Sequence, residues 1–344
     1  MSHDESLNQP SRDEDNQPTP TVRLRNPSDL IQAVPFLLRH GQLADDLVLF
    51  ATRQGRHVFV MRAELGILAE GILWPSAHPA LAATTPDRIH LILYPPAPVT
   101  DDTLRTLHAQ ARNAAMTAPD GVQMGWITTT SQKRWWLHDV ETAAPHGPGE
   151  LVQGDPVTSL KFQVLQGFPA ASRDAIVAST APHAQPVLDA VAHAISHLPA
   201  QPARESVRAA VHAALDRRAR RPIEWSIREA AEVLDALTDA SVRDEMIIHR
   251  SDDDHMCSAW SSLLPYAPPG WVAPVATVAA ISAYQRGDSV FARAALERAQ
   301  EANPGYQLAR IFTGLMDAAY SPSQIKADLA ERRRMTANRP HDTN

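Results

Sequence analysis

The apolar residues of this chain change their period part-way along, and that change limits the folds open to it. From Val22 to about Leu137, strand-like runs interleave with stretches of helical period; beyond about residue 170 almost only the helical period remains. The fold class this predicts is an α/β or α+β N-terminal domain with a mixed sheet, followed by an all-α C-terminal domain. Residues 22–137 form the first unit and 171–336 the second. Between them, residues 138–170 are rich in glycine and proline and read as an irregular junction with one strand at "SLKFQVL". Residues 1–21 are polar and acidic and, with 337–344, are expected to be disordered tails.

Local signals fill in this outline. In "NPSDLIQAVPFLLRHG", Asn26 can cap a helix that has Pro27 at its first position, and Pro35 is expected to split or kink it. "DLVLFAT" and "HVFVMRA" flank "RQGR" and read as an antiparallel hairpin. The strand "RIHLILY", the helix "DDTLRTLHAQARNAAM" and the strands "VQMGWITT" and "RWWL" follow. In the second unit Ser226 and Glu229 make a capping box. Leu308, Ile311, Phe312, Leu315 and Ala319 recur at helical spacing as a core face.

"GDSVFARAALERAQEANPGY", residues 287–306, has the small-residue spacing of a tetratricopeptide unit: Ala280, Gly287, Ala292, Leu296, Ala299 and Pro304. It has no second copy, so a lone hairpin must bury its apolar face against its own chain or a partner. Arg293, Glu297 and Tyr306 are the candidate partner contacts.

No G-x-G-x-x-G, Walker-type loop or G-x-S-x-G elbow occurs, so no cofactor is expected. His193 and His197 have zinc-pair spacing, but Ala194 stands where the glutamate of such a motif belongs, and both fall opposite the apolar stripe. In "RSDDDHMCSAW", Asp252, Asp254 and His255 are the nearest approach to a metal set, and an acidic helix start is the simpler reading; no metal is expected. "DRRARRP" reads as a solvated helix terminus, and "KRWW" as a strand with at most one tryptophan free to stack on a base. A net charge of −7 offers nucleic acid and anionic lipid no general attraction. The uncharged stretch from Cys257 to Gln285 is broken by Pro265, Pro268, Pro269 and Pro274, so it is not read as a membrane span. One cysteine allows no internal disulfide and suits the cytoplasm.

Several of these segments, in this order, resemble an actinobacterial family, the domain of unknown function family 4192. They are "RNPSDLIQAVPFLL", "RIHLILY", "RWW", "SRDAIVASTAP", "VRDEM" and "AYQRGDSVFARAALERAQEANPGYQLARIFTGLM", over about residues 22–322. The resemblance implies a fold and a lineage and attaches no activity. Members often carry a cysteine cluster after the paired tryptophans; here "LHDVETAAPHGPGELV" has none, leaving only His138 and His146 as soft-metal ligands. The features together favour a cytosolic, non-enzymatic interaction or assembly module with a protein partner. One alternative is an enzyme whose interdomain cleft uses Arg173, Asp174, Arg243 and Asp244; another is a nucleic-acid-associated accessory protein.

Overall fold

The computed structural model describes residues 24–337, except 40, 42, 132, 154–155, 167–168, 171, 200–203, 221–223 and 252–255. The expected tails lie outside the described residues, apart from Ala337.

Helix α1 (Pro27–Leu37) starts where its capping residue predicts: the Asp29 amide donates to Asn26 Oδ1 at 2.8 Å. It runs on through Pro35, which therefore does not split it. Strands β1 (Asp46–Arg53) and β2 (Arg56–Glu64) form the expected hairpin. Its two turn residues, Gln54 and Gly55, both take left-handed backbone angles, φ 51° and 72°, as a two-residue hairpin turn requires. Then follow α2 (Leu73–Thr84), β3 (Arg88–Tyr94), α3 (Asp101–Met116), β4 (Gln123–Thr130), β5 (Arg134–Leu137) and β6 (Glu150–Leu151). The sheet order is β2-β1-β3-β4-β5-β6, with β3 and β4 parallel and the other neighbours antiparallel.

Alternation along the strands builds two cores. Leu47, Leu49 and Ala51 of β1, with Ile89, Leu91 and Leu93 of β3, pack beneath α2 and α3. Val48, Phe50 and Ile92 point the other way, toward Leu30, Ile31 and Val34 of α1.

The strand read at "SLKFQVL" is a correction: these residues lie in helix α4 (Pro156–Gln166), within the stretch expected to be irregular. Phe162 is buried and stacks on Phe36 of α1, ring centroids 5.6 Å apart. That contact gives the segment a helical neighbour to pack on, and tertiary packing overrides its weak alternation.

The remaining described elements are helical: α5 (Arg173–Ser179), α6 (Gln185–Ser196), α7 (Arg204–Arg220), α8 (Ile227–Ala236), α9 (Ala240–Arg250), α10 (Met256–Leu263), α11 (Val272–Gln285), α12 (Ser289–Ala302), α13 (Gln307–Asp317) and α14 (Pro322–Ala337). The Ser226–Glu229 capping box forms at the start of α8. Helix α11 is apolar on every side and buried along its whole length, at the centre of the second core. Ala280, Ala292, Leu296 and Ala299 are fully buried where α11 meets α12. The hairpin therefore spends its apolar face on its own chain, with Ala309 and Phe312 of α13 and Ile325 of α14 in the same core. Ile311, expected inward, is 52% exposed; Ala309 takes the buried place. Among the described residues no helix is long and apolar enough to cross a membrane. The two halves meet at a backbone bridge in which Gly41 N–H donates to the Ala170 carbonyl at 2.9 Å and Ala170 N–H to the Arg39 carbonyl at 2.8 Å.

Candidate functional site

Parallel strands leave their carboxyl ends side by side, and in open α/β sheets the crevice outside those ends is where ligands bind. Here β3 and β4 end at Tyr94 and Thr130, and a cavity of about 890 Å³ lies beyond them. Its walls come from distant parts of the chain. Ile31, Gln32, Pro35 and Phe36 of α1 form one side, and Ser159 and Gln163 of α4 another. Leu43 and Ala44 ahead of β1, the loop after β3 and the β4–β5 turn complete it.

Local hydrogen bonds hold these pieces. Thr130 Oγ1 donates to the carbonyls of Ser131 and Arg134, and Ser131 N–H donates to the Arg134 carbonyl at 2.8 Å, which ties off the turn. Gln153 N–H donates to Ser28 Oγ at 2.6 Å and Val152 N–H to the Lys133 carbonyl, so Val152 is fixed in the wall. Ser159 Oγ donates to Gln32 Oε1 at 3.0 Å and joins α4 to α1. The Tyr94 hydroxyl is buried in this wall without a hydrogen-bond partner among the described residues. Burial, and then the Asp46 carboxylate, push its phenol well above the ordinary range.

A second, charged cleft lies between the halves. Asp46 is buried and pairs with Arg62 at 2.7 Å while accepting from Ala44 N–H at 3.0 Å. Glu64 stands beside them, and Arg173 and Asp174 of α5 line the same cavity of about 540 Å³. Arg62 and Arg173 also border an adjoining space with Tyr284, Arg293 and Asp317, where Arg293 pairs with Asp317 at 2.7 Å.

The structure sorts the residues picked from sequence. Arg173, Asp174 and Arg293 share the interdomain region. Arg243 and Asp244 do not join them in the described cleft: Arg243 pairs with Asp244 at 2.7 Å and donates to the Tyr306 hydroxyl at 2.8 Å. That links two residues proposed for catalysis to one proposed for partner binding, in a small network on the helical half. Glu297 is exposed on α12. Asp252, Asp254 and His255 lie outside the described residues. Among the described residues no group of three or more His, Cys, Asp or Glu is placed to hold a metal.

His193 and His197 are exposed, as their position opposite the apolar stripe predicts. Two other readings need correction. Arg218 is no solvated terminus: it is buried, pairs with Glu229 at 2.8 Å and lies over the Trp225 ring. Trp135 and Trp136 are both buried, because Trp136 tucks under the 147–149 loop and donates from Nε1 to the Gly147 carbonyl at 3.0 Å. Neither is available to stack on a base.

Sequence reasoning missed a buried histidine pair. His138 Nδ1 lies 3.4 Å from His108 Nδ1, and its Nε2 is 2.7 Å from Thr129 Oγ1. His108 Nε2 is 3.2 Å from the Thr142 carbonyl. That carbonyl can only accept, so His108 donates to it from Nε2. Burial, and then the neighbouring His108, hold His138 down to about 4. Gln32, Ser159 and Tyr94 were missed as well. Only the last residue of each of the parallel strands β3 and β4 carries a sequence signal of its own, and that signal points to Tyr94 and Thr130.

No curated protein and no solved structure matches the chain. A family model does, over residues 27–323, which covers both halves and both cavities. The chain belongs to the family described as a domain of unknown function, DUF4192.

Proposed function

We propose that this chain is a non-enzymatic binding module whose α/β half takes a small molecule in the cavity at the carboxyl ends of β3 and β4, with the helical half as its scaffold. The observation that carries this is the cavity itself, at the one parallel pair in the described sheet and of a size suited to a small ligand. Its polar groups are hydroxyls, carboxamides and an ammonium, which bind and orient a molecule. A cytoplasmic setting and a protein partner belong to the same proposal; the single half-buried cysteine agrees with the setting. Since Ala292 and Leu296 are committed to the chain's own core and Arg293 to the space between the halves, a partner would meet the hairpin on its outer, polar face around Glu297.

The test is a thermal-shift screen of the full chain against small molecules, repeated on Val99→Trp, which fills the cavity from the half-buried loop after β3. Hits that raise Tm in the parent and not in Val99→Trp are expected. Hits insensitive to that change would place binding elsewhere.

One observation favours the enzyme reading: Arg173 and Asp174 do face Asp46, Arg62 and Glu64 across an interdomain cleft. Opposed acids and cations of this kind can bind and polarise a substrate. In the same screen, hits lost in Arg173→Ala and kept in Val99→Trp would support it.

A further inference from the structure

Resting on the reading that the carboxyl-end cavity binds a small molecule, we infer that its ligand is a singly charged carboxylate on an apolar body, held by the Lys133 ammonium and the Gln32 carboxamide. The argument is an inventory of hydrogen-bonding capacity. Thr130 and Ser131 have their hydroxyl protons engaged by the carbonyls that close the β4–β5 turn. Ser159 Oγ donates to Gln32 Oε1, which fixes the amide's orientation and leaves Gln32 Nε2, a pure donor, unspent. Lys133 is exposed, carries three donors, and has no carboxylate partner among the described residues. Gln163 and the Tyr94 hydroxyl can each both donate and accept, so the surplus set by Lys133 and Gln32 Nε2 is donor capacity, and it asks for an acceptor.

Charge narrows the choice. No Asp or Glu is among the described residues lining this cavity, although the chain as a whole carries a net charge of −7. Lys133 gives the site a local positive sign against that background, so an anion is favoured over a neutral acceptor. One ammonium matches the single negative charge of a carboxylate, whereas a phosphate monoester carries close to two. Much of the remaining wall is apolar, with Ile31, Pro35, Phe36, Leu43, Val99 and Val152. These side chains have nothing to give a second polar group and would bury a hydrocarbon or aryl body.

The experiment is isothermal titration of the full chain with three probes of equal length, decanoate, decanol and decylamine, in parallel with Lys133→Gln and Lys133→Arg. The expected result is one decanoate per chain, weakened tenfold or more in Lys133→Gln and largely restored in Lys133→Arg. Decanol should bind more weakly and equally in all three proteins. Decanol and decylamine binding as well as decanoate, or decanoate indifferent to Lys133→Gln, overturns the ligand class and leaves the cavity as a binding site. Binding of none of the three probes, together with a thermal-shift screen in which no hit responds to Val99→Trp, overturns the cavity reading itself.

Discussion

His90 sits on β3 opposite a register shift, where the β3–β4 pairing passes from Ile89–Met124 to Leu91–Ile127. Its imidazole fills the space this opens and accepts from Trp126 N–H at 2.9 Å through Nδ1. A β-carbon on Gly125 would lie 2.5 Å from the ring, closer than packing allows. Glycine is thus required here by the approach of a side chain, with no demand for a positive φ. Gly125→Ala is expected to destabilise the α/β half by about 1–3 kcal/mol, the usual cost of overpacking a filled interior. Urea denaturation measures it, and the pair Gly125→Ala with His90→Ala should recover part of the loss. An equal loss in the single and double variants would show that the ring is not what the new methyl meets. The sequence holds no sign of this arrangement: "RIHLILY" reads correctly as a strand, while the histidine's partner is 36 residues away across a bulge.

Most elements were legible for local reasons. Asn26 and Ser226 carry their own capping chemistry, and β3 has the continuous apolar run of a strand buried on both faces. Helix α4 was not, because its short run alternates like a strand and it is Ala33 and Phe36 of α1, more than a hundred residues earlier, that supply the surface it packs on. Its dependence on that contact can be tested. Phe162→Ala removes a buried ring stacked at 5.6 Å and should cost about 3 kcal/mol locally. Leu160 is largely exposed, and besides the Phe162 ring the Ser159–Gln32 bond ties the helix to α1. Amide exchange across 156–166 is then expected to rise toward that of an unprotected segment while β3 stays protected. Uniform loss of protection in both would mean that α4 is integral to the α/β core. The cavity was illegible for the same reason as α4: its walls are joined by contacts such as Gln32–Ser159 that no spacing rule connects.

At the scale of the molecule, the apolar cores do not merge. Every buried member of the cores around the sheet precedes residue 163, every buried member of the helical core follows 175, and the space between is the polar cleft of Asp46, Arg62, Arg173 and Asp174. Acid should separate the two halves. His90 and His138 both belong to the α/β half, and both are held down to about 4; burial is the main cause, helped by Arg88 for the first and His108 for the second. Between pH 6.5 and 4 the unfolded chain binds protons that these rings refuse, so stability is complete above about 6.5 and falls as pH drops toward 4. At pH 5 each ring costs the α/β half about 2 kcal/mol. The helical half has a different window. Burial works against the Glu229 carboxylate, yet Ser226, Arg217 and Arg218 together keep its pKa below the ordinary value of 4.5, so its contribution is lost only at lower pH. Calorimetry is therefore expected to show two transitions that move apart as pH falls from 7 to 5, the lower one belonging to residues 24–153 by amide exchange. His138→Gln should narrow the gap at pH 5 relative to pH 7. A single transition that shifts as a whole would mean that the backbone bridge at Gly41 and Ala170, with the charged cleft, couples the halves more strongly than their separate cores suggest.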